Sequence, residues 1–317
     1  MSESLPERSI LTADQLYRFG LATGKVRGVA VSLDESWRAA GEHHDYPPAV
    51  AQLLGQCVAA AMTMVATLKF DGRLILQFRG EGPVSLLVVQ ARSDLSYRVT
   101  AQWSESLVGD VLDQSIQTLF GAGQLALTIE PDEGVRYQSL VPIEGTQIAE
   151  ALEGYFRQSE QLPTRLVLSA DSERAVGLLI QQVPGEGGTP MVRASAADAD
   201  FEHLSIMADT LLTPQGRAEF QSTDMPTILH RLFHQDALVL TQLSDVRFFC
   251  GCSRAGVGAM LRSLGREELN AAQRDGDEKG YVAVRCEFCG ANYRFDAVDV
   301  EQLLLDDSVS PPDSTRH

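Results

Sequence analysis

Four of the five cysteines in this 317-residue sequence stand in two tight pairs, and they limit the C-terminal part of the chain more than any other residues in it. The pairs lie in FFCGCSR at 248–254 and VRCEFCGANYRF at 284–295, with 33 residues between Cys252 and Cys286. Two close pairs across a loop form a four-cysteine zinc pattern, because a tetrahedral cation can take two thiolates from each short segment. The sequence therefore predicts that Cys250, Cys252, Cys286 and Cys289 hold one zinc ion. Gly290 suits a tight turn in which backbone N–H groups point at sulfur. The first pair departs from an ordinary zinc ribbon: its spacing is Cys-Gly-Cys, which pinches the chelate and leaves Gly251 to relieve the backbone. Arg247 to Arg294 carry eight basic and six acidic residues, against 18 and 37 in the remainder, a favourable setting for a cluster of net charge −2. Four cysteines leave no open position for water, so a catalytic metal is not expected. From spacing alone the site reads either as a structural staple or as a redox-sensitive one.

The rest of the chain is organised differently. A helix is predicted over 12–20 with Thr12 as its N-cap, and a nearly all-apolar one over 48–68. Cys57 within the second is read as core packing. From Arg73 the period changes to short strands, RLILQFRG, PVSLLVVQ, YRVTAQW, QLALTIE and VRYQSLVPI, broken by Gly, Pro and Asp. A helix over 146–161 and two strands, TRLVLSA and AVGLLIQQV, complete an α+β domain over 1–183, mostly antiparallel sheet packed with helices. PGEGGTP at 184–190 is a strong breaker. The stretch 184–224 holds seven acidic residues against Arg193 and Arg217, with a helix around 198–212 that is expected to bury little. It reads as a solvated spacer or as a segment poised near its folding threshold. We place a helical linker at 184–235, the zinc domain at 236–303 and a disordered tail at 304–317.

A formal charge of −17 disfavours nucleic acid as a partner. No continuous apolar run approaches the roughly 20 residues that span a bilayer, so no membrane partner is expected. The N-terminal MSESLPERSILTADQ lacks a basic segment followed by an apolar one, and a cytoplasmic location is expected. In that compartment cysteines favour metal or redox chemistry over a disulfide scaffold. His230 and His234, four apart, fit a packed helix face better than a ligand pair, and His43 and His44 fit a helix entrance. No phosphate loop, nucleophile elbow or metalloprotease signature is present, so no enzyme is expected.

These residues resemble the heat shock protein 33 family, the 33 kDa chaperonins. Its pattern of Cys-x-Cys-Ser-Arg, then Cys-x-x-Cys-Gly with Tyr-x-Phe soon after, stands here as Cys250 to Arg254 and Cys286 to Phe295. HDYP at 44–47, LKFDG at 68–72, GEGP at 80–83, EGVRYQ at 133–138 and YFRQSEQLPTR at 155–165 extend the likeness over nearly the whole chain. The resemblance implies a holdase chaperone, inactive when reduced and zinc-bound. On oxidation it implies Cys250–Cys252 and Cys286–Cys289 disulfides, loss of zinc, a destabilised linker, homodimerisation, and ATP-independent binding of unfolding client proteins.

Overall fold

The described part of the chain opens on a strand. Gln15–Leu21 form β1 where the sequence predicts a helix, and Val26–Leu33 form β2 beside it. Leu16, Tyr17 and Phe19 are all buried, so both faces of β1 are covered and the alternation that marks a half-buried strand never develops. The protein is described from a computed structural model covering residues 14–22, 24–104, 115–183, 190–276 and 279–305, with backbone alone over 190–197. Thr12, the breaker at 184–189 and the tail from 306 lie outside these residues.

A short helix, α1 (Glu35–Gly41), precedes α2 (Pro48–Val65). The latter is long and apolar enough to cross a membrane by composition, yet 78% of it is buried inside the fold. Cys57 sits fully buried within it, where desolvation pushes the thiol pKa up. Next come β3 (Gly72–Gly80), β4 (Val84–Arg92), β5 (Ser96–Trp103), α3 (Ile116–Phe120), β6 (Gly123–Pro131) and β7 (Tyr137–Pro142). Helix α4 (Ile148–Tyr155) widens into a π turn over Phe156–Glu160, followed by β8 (Thr164–Ala170) and β9 (Ala175–Gln182). The predicted strands from Arg73 onward all form, most of them with apolar residues alternating inward and β9 as a short apolar run buried on both faces.

Three helices follow, α5 (Pro190–Asp209), α6 (Pro214–Ser222) and α7 (Met225–Phe233), with a 3-10 turn at Thr210–Leu212. Then come the edge strands β10 (Leu238–Asp245) and β11 (Arg247–Phe248). Two sheets result. One has the order β10-β1-β2-β9-β8 and is wholly antiparallel; the other, β11-β5-β4-β3-β6-β7, is antiparallel except for the β11·β5 pair. Helix α2 packs on β2, β8 and β9 of the first sheet and on β3, β4 and β5 of the second, which explains why it is apolar all round.

The opposite face of the five-stranded sheet carries a second core, in which Tyr17, Phe19, Ala30, Val176, Leu178 and Ile180 meet the three helices. This corrects the expectation that the acidic stretch buries little: Leu204, Ala208, Leu211 and Phe220 are buried there. Asp198, Glu202, Asp209 and Asp224 are exposed, with Asp200 and Glu219 half-buried, and in the sequence they mask the few apolar anchors between them.

The chain divides into two compact units between Phe249 and Cys250. The expected start of the zinc domain at 236 is therefore displaced, because Leu238–Asp245 pair along β1 as an edge of the first unit's sheet. The second unit contains α8 (Arg254–Leu264), α9 (Arg266–Asp275), the hairpin β12 (Val282–Arg285) with β13 (Asn292–Phe295), and α10 (Ala297–Leu305). Its buried core is small: Leu261, Leu269, Val282, Phe295 and Val300.

Candidate metal centre

Two short segments of the second unit meet at the cysteines. Cys250 and Cys252 lie in the extended stretch before α8, which is anchored just beyond them by Ser253, whose hydroxyl accepts from the Gly256 N–H at 3.1 Å. Cys286 and Cys289 lie in the turn of the β12–β13 hairpin, whose register pairs Arg285 with Asn292. The Gly290 N–H donates to the Cys286 carbonyl at 2.8 Å and Gly290 takes a φ of 68°, so the turn needs a residue at ease in the left-handed region. The N–H aimed at sulfur comes from the next residue, Ala291, onto Cys289.

All four sulfurs lie within 4.8 Å of one another. The Sγ atoms of Cys250 and Cys286 are 3.7 Å apart, and those of Cys252 and Cys289 are 3.3 Å apart. A zinc–sulfur bond of about 2.3 Å gives a tetrahedron with edges of about 3.8 Å, so four thiolates at this spacing fit a four-coordinate cation. A disulfide would need about 2.05 Å; all four are free thiols. Both of these contacts join a sulfur of one pair to a sulfur of the other. Among the described residues this is the one grouping of three or more His, Cys, Asp or Glu side chains close enough to share a metal. His230 and His234, with rings 5.9 Å apart on α7, are neighbours on a helix face and gather no third donor.

The charge on the cluster is unevenly held. Burial raises the pKa of Cys252, but hydrogen bonds from Tyr293 and the neighbouring thiols outweigh it and hold this cysteine at about 7. At Cys289 burial and the neighbouring thiolates act together and push the pKa up to about 12. One thiolate forms readily and opposes the next, which is how four sulfurs behave before a dication neutralises them. Sequence reasoning placed the four cysteines but not Tyr293, whose hydroxyl donates to the Cys252 sulfur at 3.1 Å. It also missed Arg254, whose guanidinium lies 4.2 Å from the Phe295 ring and bonds Asp299 at 2.7 Å, tying α8 to β13 and α10. The Tyr-x-Phe and Cys-Ser-Arg patterns contained both residues but gave no direction for either side chain.

A family model described as Hsp33 protein matches residues 14–296. A 33 kDa chaperonin of Nitrosococcus oceani is 42% identical over 304 residues, covering 96% of this chain and 99% of that one. A 33 kDa chaperonin of Pseudomonas aeruginosa is 40% identical over 305 residues, with the same coverage. The crystal structure of a 33 kDa chaperonin from Thermotoga maritima superposes with a TM-score of 0.78, covering 93% of this chain and all of that one at 22% identity, and so shares the fold. With the model spanning most of the chain and the relatives matching it nearly end to end, this chain belongs to the Hsp33 protein family, whose named members are chaperonins.

Proposed function

We propose that the chain is a redox-regulated, ATP-independent holdase chaperone that binds unfolding proteins in the cytoplasm under oxidative stress, and that it is not an enzyme. The observation that carries this reading is the convergence of four thiols in a unit whose described residues bury five apolar side chains in its core. A module with so small a core depends on its cross-link. Cys250, Cys252, Cys286 and Cys289 are the ligands, and the ion is zinc, which suits four thiolates and has no redox chemistry of its own. When bound, zinc neutralises the thiolates and joins two chain segments in one rigid knot.

The switch lies in the sulfurs. A thiolate attacks a peroxide, the S–O bond forms as O–O breaks, and hydroxide leaves; a second thiolate then displaces hydroxide from the sulfenic acid to give a disulfide. Each such event takes two electrons and two ligands from the cluster. We assign the oxidised pairs as Cys250–Cys252 and Cys286–Cys289, the partners nearest along the chain. Sequence proximity favours them once the knot opens, although the folded cluster also brings sulfurs of different pairs to 3.7 and 3.3 Å. Peptide mapping of the oxidised protein decides this, and disulfides between the pairs would overturn it.

Loss of the second unit's fold then loosens the linker. In the domain roles proposed here, residues 1–183 hold clients and form the homodimer of the oxidised state, 184–235 are the metastable linker, and the second unit from Cys250 contains the switch. Release of α5–α7 would bare Tyr17, Phe19, Ala30, Val176, Leu178 and Ile180 on the five-stranded sheet, an apolar surface of the sort that captures unfolded chains. The charge of −17 keeps such an open form soluble and unsuited to nucleic acid.

The test is an aggregation assay with a chemically denatured client, run with reduced and peroxide-treated protein while released zinc is measured. We expect one zinc per chain, no protection when reduced, and protection that rises with zinc release. Equal protection in both states, or zinc retained throughout, would identify a constitutive zinc-bearing adaptor instead.

A further inference from the structure

Tyr293 is the one side chain outside the four cysteines that the described contacts place on a cluster sulfur through a hydroxyl. It lies on β13, four residues past Cys289, on the inward side of a strand whose exposed residues are Asn292 and Arg294. Its ring packs against the second unit's small core, and its Oη reaches across to Cys252 of the other pair at 3.1 Å. A hydroxyl donated to sulfur draws electron density from the thiolate. Attack on carbon or oxygen by that sulfur uses the same lone pairs, so a donated hydrogen bond slows it.

We propose that Tyr293 is a positioning residue that shields Cys252 from electrophiles and oxidants in the reduced, metal-bound protein. This rests on the metal-switch reading above. Cys250 provides an internal comparison, because it belongs to the same Cys-Gly-Cys segment and is similarly half-buried.

The experiment uses full-length reduced protein loaded with zinc and a substoichiometric amount of iodoacetamide, so that each chain is modified at most once. In that reaction the S–C bond forms, C–I breaks and iodide leaves. Peptide mass spectrometry reads the ratio of modification at Cys252 to that at Cys250. In Tyr293→Phe, which keeps the ring and removes the donor, the ratio should rise about five-fold, the factor corresponding to one hydrogen bond of about 1 kcal/mol. A second readout follows cobalt in place of zinc. The thiolate-to-cobalt charge-transfer absorption should move to lower energy in Tyr293→Phe, while the ligand-field bands stay at tetrahedral positions.

A folded, zinc-bound Tyr293→Phe with an unchanged ratio overturns the shielding role and leaves the metal switch standing. Should the variant fail to bind metal, 3-fluorotyrosine at position 293, a stronger donor of nearly the same size, takes its place: the ratio should fall, and an unchanged ratio overturns the proposal. A natural chain that binds no zinc overturns both readings together.

Discussion

Glu150 illustrates what a single side chain contributes. Its carboxylate accepts from the Thr146 hydroxyl at 3.1 Å and the Gln147 N–H at 3.3 Å, and from the Thr146 N–H, closing the entrance of α4. The Thr146 backbone bond first, and the others after it, hold its pKa below the ordinary 4.5. A depressed folded-state pKa means stability that is fully present above the unfolded value and is lost as pH falls through the folded one. Glu150→Ala should therefore cost about 1 kcal/mol at neutral pH, and the gap to the natural chain should close below pH 4.5. Urea denaturation at pH 7 and pH 3 checks this, and an offset of equal size at both would refute it. At this scale the sequence was readable where chemistry fixes spacing. Metal coordination demands four soft donors in two pairs, so Cys250, Cys252, Cys286 and Cys289 announced themselves. Tyr293 did not, because a hydroxyl four residues beyond Cys289 can point anywhere until the hairpin register aims it.

The linker helices are held down by close backbone approach and by one arginine. A Cβ on Gly216 in α6 would lie 2.1 Å from the Thr210 carbonyl oxygen and 2.7 Å from the Leu211 Cα, both backbone atoms that cannot swing aside. Arg174, in the turn between β8 and β9, donates to the carbonyls of Gln221 at 2.7 Å and Thr223 at 3.0 Å, and pairs with Asp34 at 3.0 Å. It thus satisfies the end of α6 from the sheet below. Gly216→Ala and Arg174→Ala should each destabilise this packing by about 2 kcal/mol and speed amide exchange over 214–233 about thirty-fold, as read by hydrogen exchange of the reduced protein. On the holdase reading, both variants should also protect clients while still reduced and zinc-bound. Faster exchange with no gain in protection would mean that the linker is not the gate. These elements also show where the pattern of residues falls silent. Strands β3 to β9 were legible through alternation or a bounded apolar run, whereas β1 was read as a helix because it is buried on both faces. The linker looked solvated because Leu204, Ala208 and Leu211 are sparse anchors among acidic neighbours, and only the sheet beneath them reveals that they are buried.

At the scale of the whole molecule, the two units differ sharply in what sustains them. The first has two extensive apolar cores around α2 and beneath the linker. The second, among the described residues, has a core of five buried apolar side chains and a thiol cluster, for which structural zinc would supply on the order of 10–16 kcal/mol. The last strands of the first unit before Cys250 are β10 and β11. Nearly every side chain of β10 is exposed, so this edge strand is held by its ladder to β1, and β11 is a two-residue parallel pairing beside β5. Only Val246 between them is buried. Such a segment is weakly tethered and continues directly into Cys250 on one side and α7 on the other. Removing the metal with a strong chelator under reducing conditions should therefore unfold residues 250–305 and fray 238–249, while β3, β4 and β6 keep their exchange protection. Cys286→Ser, with one thiolate fewer, should reproduce the same pattern without chelator. Residue-resolved hydrogen exchange distinguishes the outcomes. A second unit that stays protected after chelation would show that its core suffices without the metal, and oxidation of the cysteines would then have no fold to release.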